Sequence, residues 1–237
     1  MNISRAAFTL LFTVTFVVSP ALTDPFSGFR ADQLPVPQIN PPVQPAGYAF
    51  AIWGLIYGWL VVSALFGIWK RGADPGWDKA RVPLIISLAA GTPWLAVANA
   101  SAVWATVLIF VMAISAVAAL LRAPAADRWL LAVPVGIYAG WLTAASFVSL
   151  GSTAAGYGII TGALGWAYIG ISGALLMAVF VIWQSRSRAY GLTVIWALIG
   201  IIIANGTAQI GVSGLAAAGI IAVLGLSLRP NGPTVPS

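Results

Sequence analysis

The chain contains no cysteine and no histidine, and none of its five acidic residues is a glutamate. Those absences exclude disulfides, thiol nucleophiles, His-ligated metals or haem and His general bases. All five Asp fall between apolar runs, so no carboxylate is placed within a span to relay protons or bind a coupling cation. Lys70 and Lys79 also lie in such a gap, which leaves a retinal Schiff base no attachment point. No cofactor is expected. Acid–base and metal-assisted catalysis have almost nothing to work with, and the chain reads as a protein that is not an enzyme.

Charge of either sign is scarce. Only 7% of the residues are charged and 60% are hydrophobic, whereas roughly a quarter are charged in a soluble domain. The charges sit in short gaps between apolar stretches of about 16 to 26 residues, a length that matches a ~30 Å hydrocarbon core at 1.5 Å per helical residue. The fold class expected is an all-α integral membrane protein of about eight transmembrane helices, at roughly 6–22, 46–69, 82–101, 103–121, 129–150, 158–183, 190–205 and 209–228. The net charge of +6 is not a nucleic-acid signature, because the basic residues flank span ends and form no aromatic-interleaved patch. Membrane lipid is the expected surrounding and nucleic acid is not an expected partner.

The basic residues orient the spans. Arg5 precedes the first; Lys70, Arg71, Lys79 and Arg81 follow the second; Arg122 and Arg128 follow the fourth; Arg186 and Arg188 follow the sixth; Arg229 follows the last. Arg30 alone falls on the opposite side. The positive-inside rule then puts both termini in the cytoplasm of a multi-pass plasma (inner) membrane protein. The first span has a second reading as a signal peptide, with an apolar stretch Ala6–Val18 and a small-residue site at Ser19-Pro20-Ala21. Cleavage would leave seven spans.

The segment Thr23–Pro45 holds six prolines, so extended or turn-rich backbone is expected there. It is either a solvated connector or a lid over a cavity. Gly54 with Gly58, Gly170 with Gly173, and Gly214 with Ala218 follow helix-packing spacings, read as contacts inside the bundle with a homodimer as the lesser outcome. Gly91 followed by Pro93 predicts a kink. The tail 230–237 is expected to be disordered.

Eleven tryptophans sort by depth. Trp69, Trp77, Trp129 and Trp183 fall at span ends and read as an interfacial belt. Trp53, Trp94, Trp141 and Trp166 lie about 10–14 Å deep, at 1.5 Å per residue. They line a shared cavity, fill the bundle core or face lipid.

The run Pro45-Ala46-Gly47-Tyr48-Ala49-Phe50-Ala51-Ile52-Trp53-Gly54-Leu55-Ile56-Tyr57 resembles the second-helix signature of the tryptophan-rich sensory protein family (TspO/MBR, the translocator protein family). Pro134, Tyr138, Trp141 and Ala145 resemble its fifth helix, and Trp94 its third-helix Trp. The resemblance covers about residues 1–150, a five-helix translocator-like bundle. Residues 151–229 then form a three-helix extension. The sequence departs from the family in placing Phe50 one residue nearer Trp53, which turns Trp53 by about 100° on an α-helix. Gly91 and Ser149 stand where the family has Asn.

The resemblance implies a bundle pocket for flat apolar ligands of porphyrin or sterol type, lined by Tyr48, Phe50, Trp53, Tyr57, Trp94, Tyr138 and Trp141, with a regulatory or transport-linked role. Two alternatives are an uncoupled transporter of a small amphipathic solute and a membrane assembly partner without a small ligand. Porphyrin breakdown, associated with some family members, is a lesser expectation.

Overall fold

Eight helical stretches, each long and apolar enough to cross a membrane, run between two ends of the molecule in a computed structural model that describes residues 3–228. The described residues contain helices and turns only. The chain is an all-α multi-pass membrane protein. The tail at 230–237 lies outside the described residues.

The helices are α1 (Ile3–Val18), α2 (Ile52–Arg71), α3 (Pro75–Gly91), α4 (Trp94–Ala100), α5 (Ala102–Arg122), α6 (Ala132–Gly156), α7 (Ala163–Ser185), α8 (Arg188–Asn205) and α9 (Ile210–Ser227). A 3₁₀ turn at Ser19–Leu22 prolongs α1, and another at Gly47–Ala51 leads into α2. Helices α3 and α4 make one span, broken at Thr92-Pro93 because proline supplies no N–H to the helix ladder. The expected kink falls here, with Thr92 and Pro93 still in helical dihedrals.

Helix α6 is the central column, with α5, α7 and α8 packed around it. Its glycines allow this. A Cβ on Gly140 would stand 2.7 Å from the Tyr190 carbonyl oxygen, and one on Gly136 would stand 2.7 Å from Ser187 Oγ. In lipid, such close backbone approach supplies van der Waals contact that an exchange of apolar surfaces cannot. Gly170 and Gly173 likewise pack on Phe147. Gly54, Gly58 and Gly214 do not: a Cβ at each would meet nothing within 4 Å. These three lie on the outer surface, which corrects the reading of their spacings as contacts inside the bundle.

Among the described residues, the basic side chains other than Arg30 gather at one end. Arg5 pairs with Asp78, and Arg71 Nε lies 2.6 Å from Asp127 Oδ2. Helix α3 starts earlier than the hydropathy suggested because Asp74 caps it, accepting from Trp77 N at 3.0 Å, with Pro75 in the first turn. Lys79 and Arg81 therefore lie on a helix and not in a loop.

Arg81 is 3% exposed. Its guanidinium donates to the carbonyls of Gly67 (3.1 Å), Arg71 (2.6 Å) and Gly72 (3.0 Å), closing the C-terminus of α2. The last four carbonyls of a helix lack intrahelical donors, and a cation there also meets the negative end of the helix dipole. Trp77 shares this corner. It is 3% exposed, sits in the notch left by Gly67 and donates to Asp127 Oδ2 at 3.2 Å. Trp77 is thus a buried strut and not a belt residue. Trp69, Trp129 and Trp183 are exposed as a belt requires, and Trp104 joins them at the other end.

Candidate functional site

The end opposite the basic cluster carries the segment from Thr23 to Pro45, folded across the bundle. Polar straps hold it. Arg30 Nη1 donates to Asn99 O (3.1 Å), Gln33 Nε2 to Ala98 O (2.7 Å) and Asn99 Nδ2 to Asp24 O (3.0 Å), which ties its first half to α4. Val36 N donates to Gly156 O (2.9 Å), Asn205 Nδ2 to Pro42 O (2.9 Å) and Ala46 N to Gly200 O (3.0 Å), which ties its second half to α6 and α8. Of the two readings of this segment, the lid holds.

Beneath it lies a cavity of about 250 Å³. The lid contributes Asp24, Phe26, Phe29, Gln38 and Val43; α1 gives Phe16; α2 and its leading turn give Phe50, Trp53 and Tyr57; α4 gives Trp94; α6 gives Trp141, Ser149 and Ser152. Gly170, Ile171, Val194, Leu198 and Ile201 close it from α7 and α8. Helices α7 and α8 therefore supply part of the wall.

Aromatic packing orders the interior. Trp53 stacks on Tyr57 at 5.3 Å between centroids and 23° between planes. Trp141 receives Phe50 (5.7 Å, 82°) and Trp53 (6.2 Å, 85°) in edge-to-face contacts. That both reach Trp141 follows from the backbone. Residues 47–51 wind as a 3₁₀ turn, and Ala51 (φ −59°, ψ −19°) and Ile52 (φ −57°, ψ −24°) carry that geometry to the start of α2. In a 3₁₀ turn residues i and i+3 eclipse, so Phe50 and Trp53 face the same side despite their short spacing.

Two of the seven expected lining residues stand elsewhere. Tyr48 lies on the outer side, half-exposed and edge-on to Trp196 of α8 at 5.3 Å. Tyr138 is fully buried below the cavity, hydrogen-bonded to Ser87 Oγ at 3.0 Å and packed on Phe16 at 5.7 Å. Trp166 is also absent from the wall: its indole donates to Ile159 O at 2.6 Å in a small separate cluster. Phe50, Trp53, Tyr57, Trp94 and Trp141 are brought together.

Several wall residues escaped the sequence reading. Phe16 fills the space that Gly91 leaves open, where a Cβ would stand 2.7 Å from its ring. Phe26 and Phe29 pair at 5.6 Å, and Phe26 meets Trp94 at 5.2 Å. Two aromatics three apart in an otherwise polar, proline-rich loop were the available signal for them. Apart from Gly170, singled out for its packing spacing, the α7 and α8 residues named are plain aliphatics and gave none.

Polar groups are few and mostly engaged. Ser149 Oγ lies 2.7 Å from Thr106 Oγ1, which also meets Thr153 Oγ1 at 2.8 Å. Trp94 Nε1 donates to Ala105 O at 3.0 Å. Trp141 Nε1 differs: it is buried and has no acceptor among the described residues. A buried N–H left unpaired costs about 1–3 kcal/mol, and this one is enclosed by protein on all sides. At the rim Arg30 Nε lies 3.0 Å from Asp32 Oδ1, and that hydrogen bond holds the Asp32 carboxyl below the usual carboxylate range. The arrangement can desolvate and stack a flat ring system.

Among curated proteins and among solved structures, none matches this chain. A family model described as TSPO-like protein matches residues 6–228, through α7, α8 and α9 as well as the first five spans. The chain belongs to the TSPO-like protein family.

Proposed function

We propose that this protein is a membrane-embedded binding protein for flat, largely apolar ligands, with a regulatory or transport-linked role and no catalytic turnover. The reading is carried by the cavity itself, about 250 Å³ in volume and walled by Phe50, Trp53, Tyr57, Trp94 and Trp141. Faces and edges of indole and phenyl rings reward stacking of a flat ligand. The ligand class is porphyrin- or sterol-like in being flat and apolar. Both termini are cytoplasmic in this reading, so the lid and the cavity mouth face outward across the plasma (inner) membrane. Surrounding lipid is the partner common to every helix, and the outward Gly54–Gly58 face of α2 is where a second copy would pack.

Tryptophan fluorescence of the purified protein in detergent tests the binding. Porphyrins, sterols and hydrophobic amines are titrated against it. Saturable quenching by at least one class, weakened by Trp141→Ala, is expected. Quenching that rises without saturation, as it does on partition into micelles, would refute the reading.

A further inference from the structure

The mouth of the cavity combines an acid with a cluster of rings. Among the described residues, Asp24 is the only charged one lining the cavity. Its backbone carbonyl is taken by Asn99, but among the described residues its carboxylate has neither a hydrogen bond nor an ion pair. The nearby cation is already committed, since Arg30 pairs with Asp32 and donates to Asn99 O. Asp24, Arg30 and Asp32 together leave one net negative charge at the rim. Two residues beyond Asp24, the Phe26 ring stands nearly perpendicular both to Phe29 (71°) and to Trp94 (77°), and all three line the cavity.

A ring face attracts a cation through its quadrupole, and aromatic walls beside an acid are how quaternary ammonium groups are recognised. Size narrows the ligand further. An apolar cavity of about 150 Å³ takes up benzene, and pockets for drug-sized ligands span about 300–1,000 Å³. At about 250 Å³ this cavity suits two fused rings better than a tetrapyrrole. An anionic ligand would also bring its carboxylates to Asp24.

We propose that the cavity selects organic cations with a small flat aromatic body, with the cationic head at Asp24 among Phe26, Phe29 and Trp94 and the body against Trp53 and Trp141. This rests on the ligand-binding reading above and adds charge and size to it.

The test uses three naphthalene probes of one shape: 2-naphthylmethyl-trimethylammonium, its neutral isostere with carbon in place of nitrogen, and 2-naphthylacetate. Binding to the full chain in nanodiscs is measured by calorimetry at pH 7, with empty nanodiscs as the blank. The cation is expected to bind about tenfold tighter than the neutral isostere, with the anion weakest. The preference shrinks between low and high salt because Asp24 is exposed. Asp24→Asn and Phe26→Leu should each cut the cation-to-neutral ratio several-fold, with near-ultraviolet circular dichroism confirming the fold. Equal binding of cation and isostere, or a ratio unmoved by Asp24→Asn, overturns the cation site and leaves the cavity as a neutral binder. Saturable binding by none of the probes overturns the cation and size selection, while the ligand-binding reading stands or falls separately with the porphyrin, sterol and amine titrations.

Discussion

Replacing Trp141 separates the cavity from mere aromatic filling. Its ring is 2% exposed and makes edge-to-face contacts with Phe50 and Trp53. Each such pair contributes about 0.5–1.5 kcal/mol beyond burial, and a buried Trp→Ala change costs about 3–5 kcal/mol in a soluble core. Expression and thermal unfolding of Trp141→Ala in detergent must therefore be checked first. For a flat ligand stacked on this ring, the lost contact amounts to a several-fold to about tenfold weaker Kd. Trp141→Phe divides the effect. It keeps a ring face and deletes an N–H that has no acceptor in the free protein. The void it leaves is smaller, so it should cost less stability than Trp141→Ala and weaken Kd less. Trp69→Ala and Trp183→Ala, at 76% and 69% exposure, should leave Kd unchanged. Pairing Trp53→Ala with Trp141→Ala should be non-additive, since the two rings touch. If cavity and surface substitutions, all folded, change Kd equally in fluorescence titrations, the cavity does not bind the ligand.

Three further outcomes are expected. Gly91→Ala puts a methyl group 2.7 Å from the Phe16 ring and 3.0 Å from Met112 Cε; Phe16 must shift toward Trp53 and Tyr57, so ligand Kd rises although no contact residue is changed, and an unaltered Kd would show that the ring relaxes elsewhere. The hydrogen bond from Arg71 holds the Asp127 carboxyl below its usual range; its stabilisation is present above the unfolded value of about 3.9 and lost as pH falls through the folded one, so Asp127→Asn should lower the thermal midpoint at pH 7 and make no difference in strong acid. Cysteine is absent from the chain, so single exposed sites can report sidedness: Ile39→Cys and Thr207→Cys should react with an impermeant thiol reagent on intact cells, whereas Ala73→Cys and Ala126→Cys should not.

Span number and order were legible because lipid imposes them: an apolar run either reaches across the hydrocarbon or does not. All seven candidate wall residues are aromatic, and five of them line the cavity, because depth along a helix can be counted. Rotation about a helix axis is harder to read. Tyr48 and Tyr138 fall on the wrong faces because helices without a polar side have no dominant amphipathic stripe to fix their direction. Trp77 was misjudged for a related reason. Its place near a span end suggested the interface, but the notch at Gly67 and the Asp127 acceptor draw it inward. Neither partner is its neighbour in sequence. Arg81 was hidden in the same way, its acceptors lying on the preceding helix.

The straps that hold the lid govern time as well as shape. Freeing the half that bears Asp24, Phe26 and Phe29 from α4 breaks three hydrogen bonds, those of Arg30, Gln33 and Asn99. At about 0.5–1.5 kcal/mol net for each, opening costs about 1.5–4.5 kcal/mol, which leaves the open form populated at roughly one part in ten to one in two thousand. A ligand entering from the aqueous side through that form would associate slower than an unhindered encounter by the same factor. It would also leave slowly. Occupancy would then report the recent past of the solution and not its instantaneous concentration, and weakening a strap such as Gln33 would shorten that memory without altering the walls of the cavity.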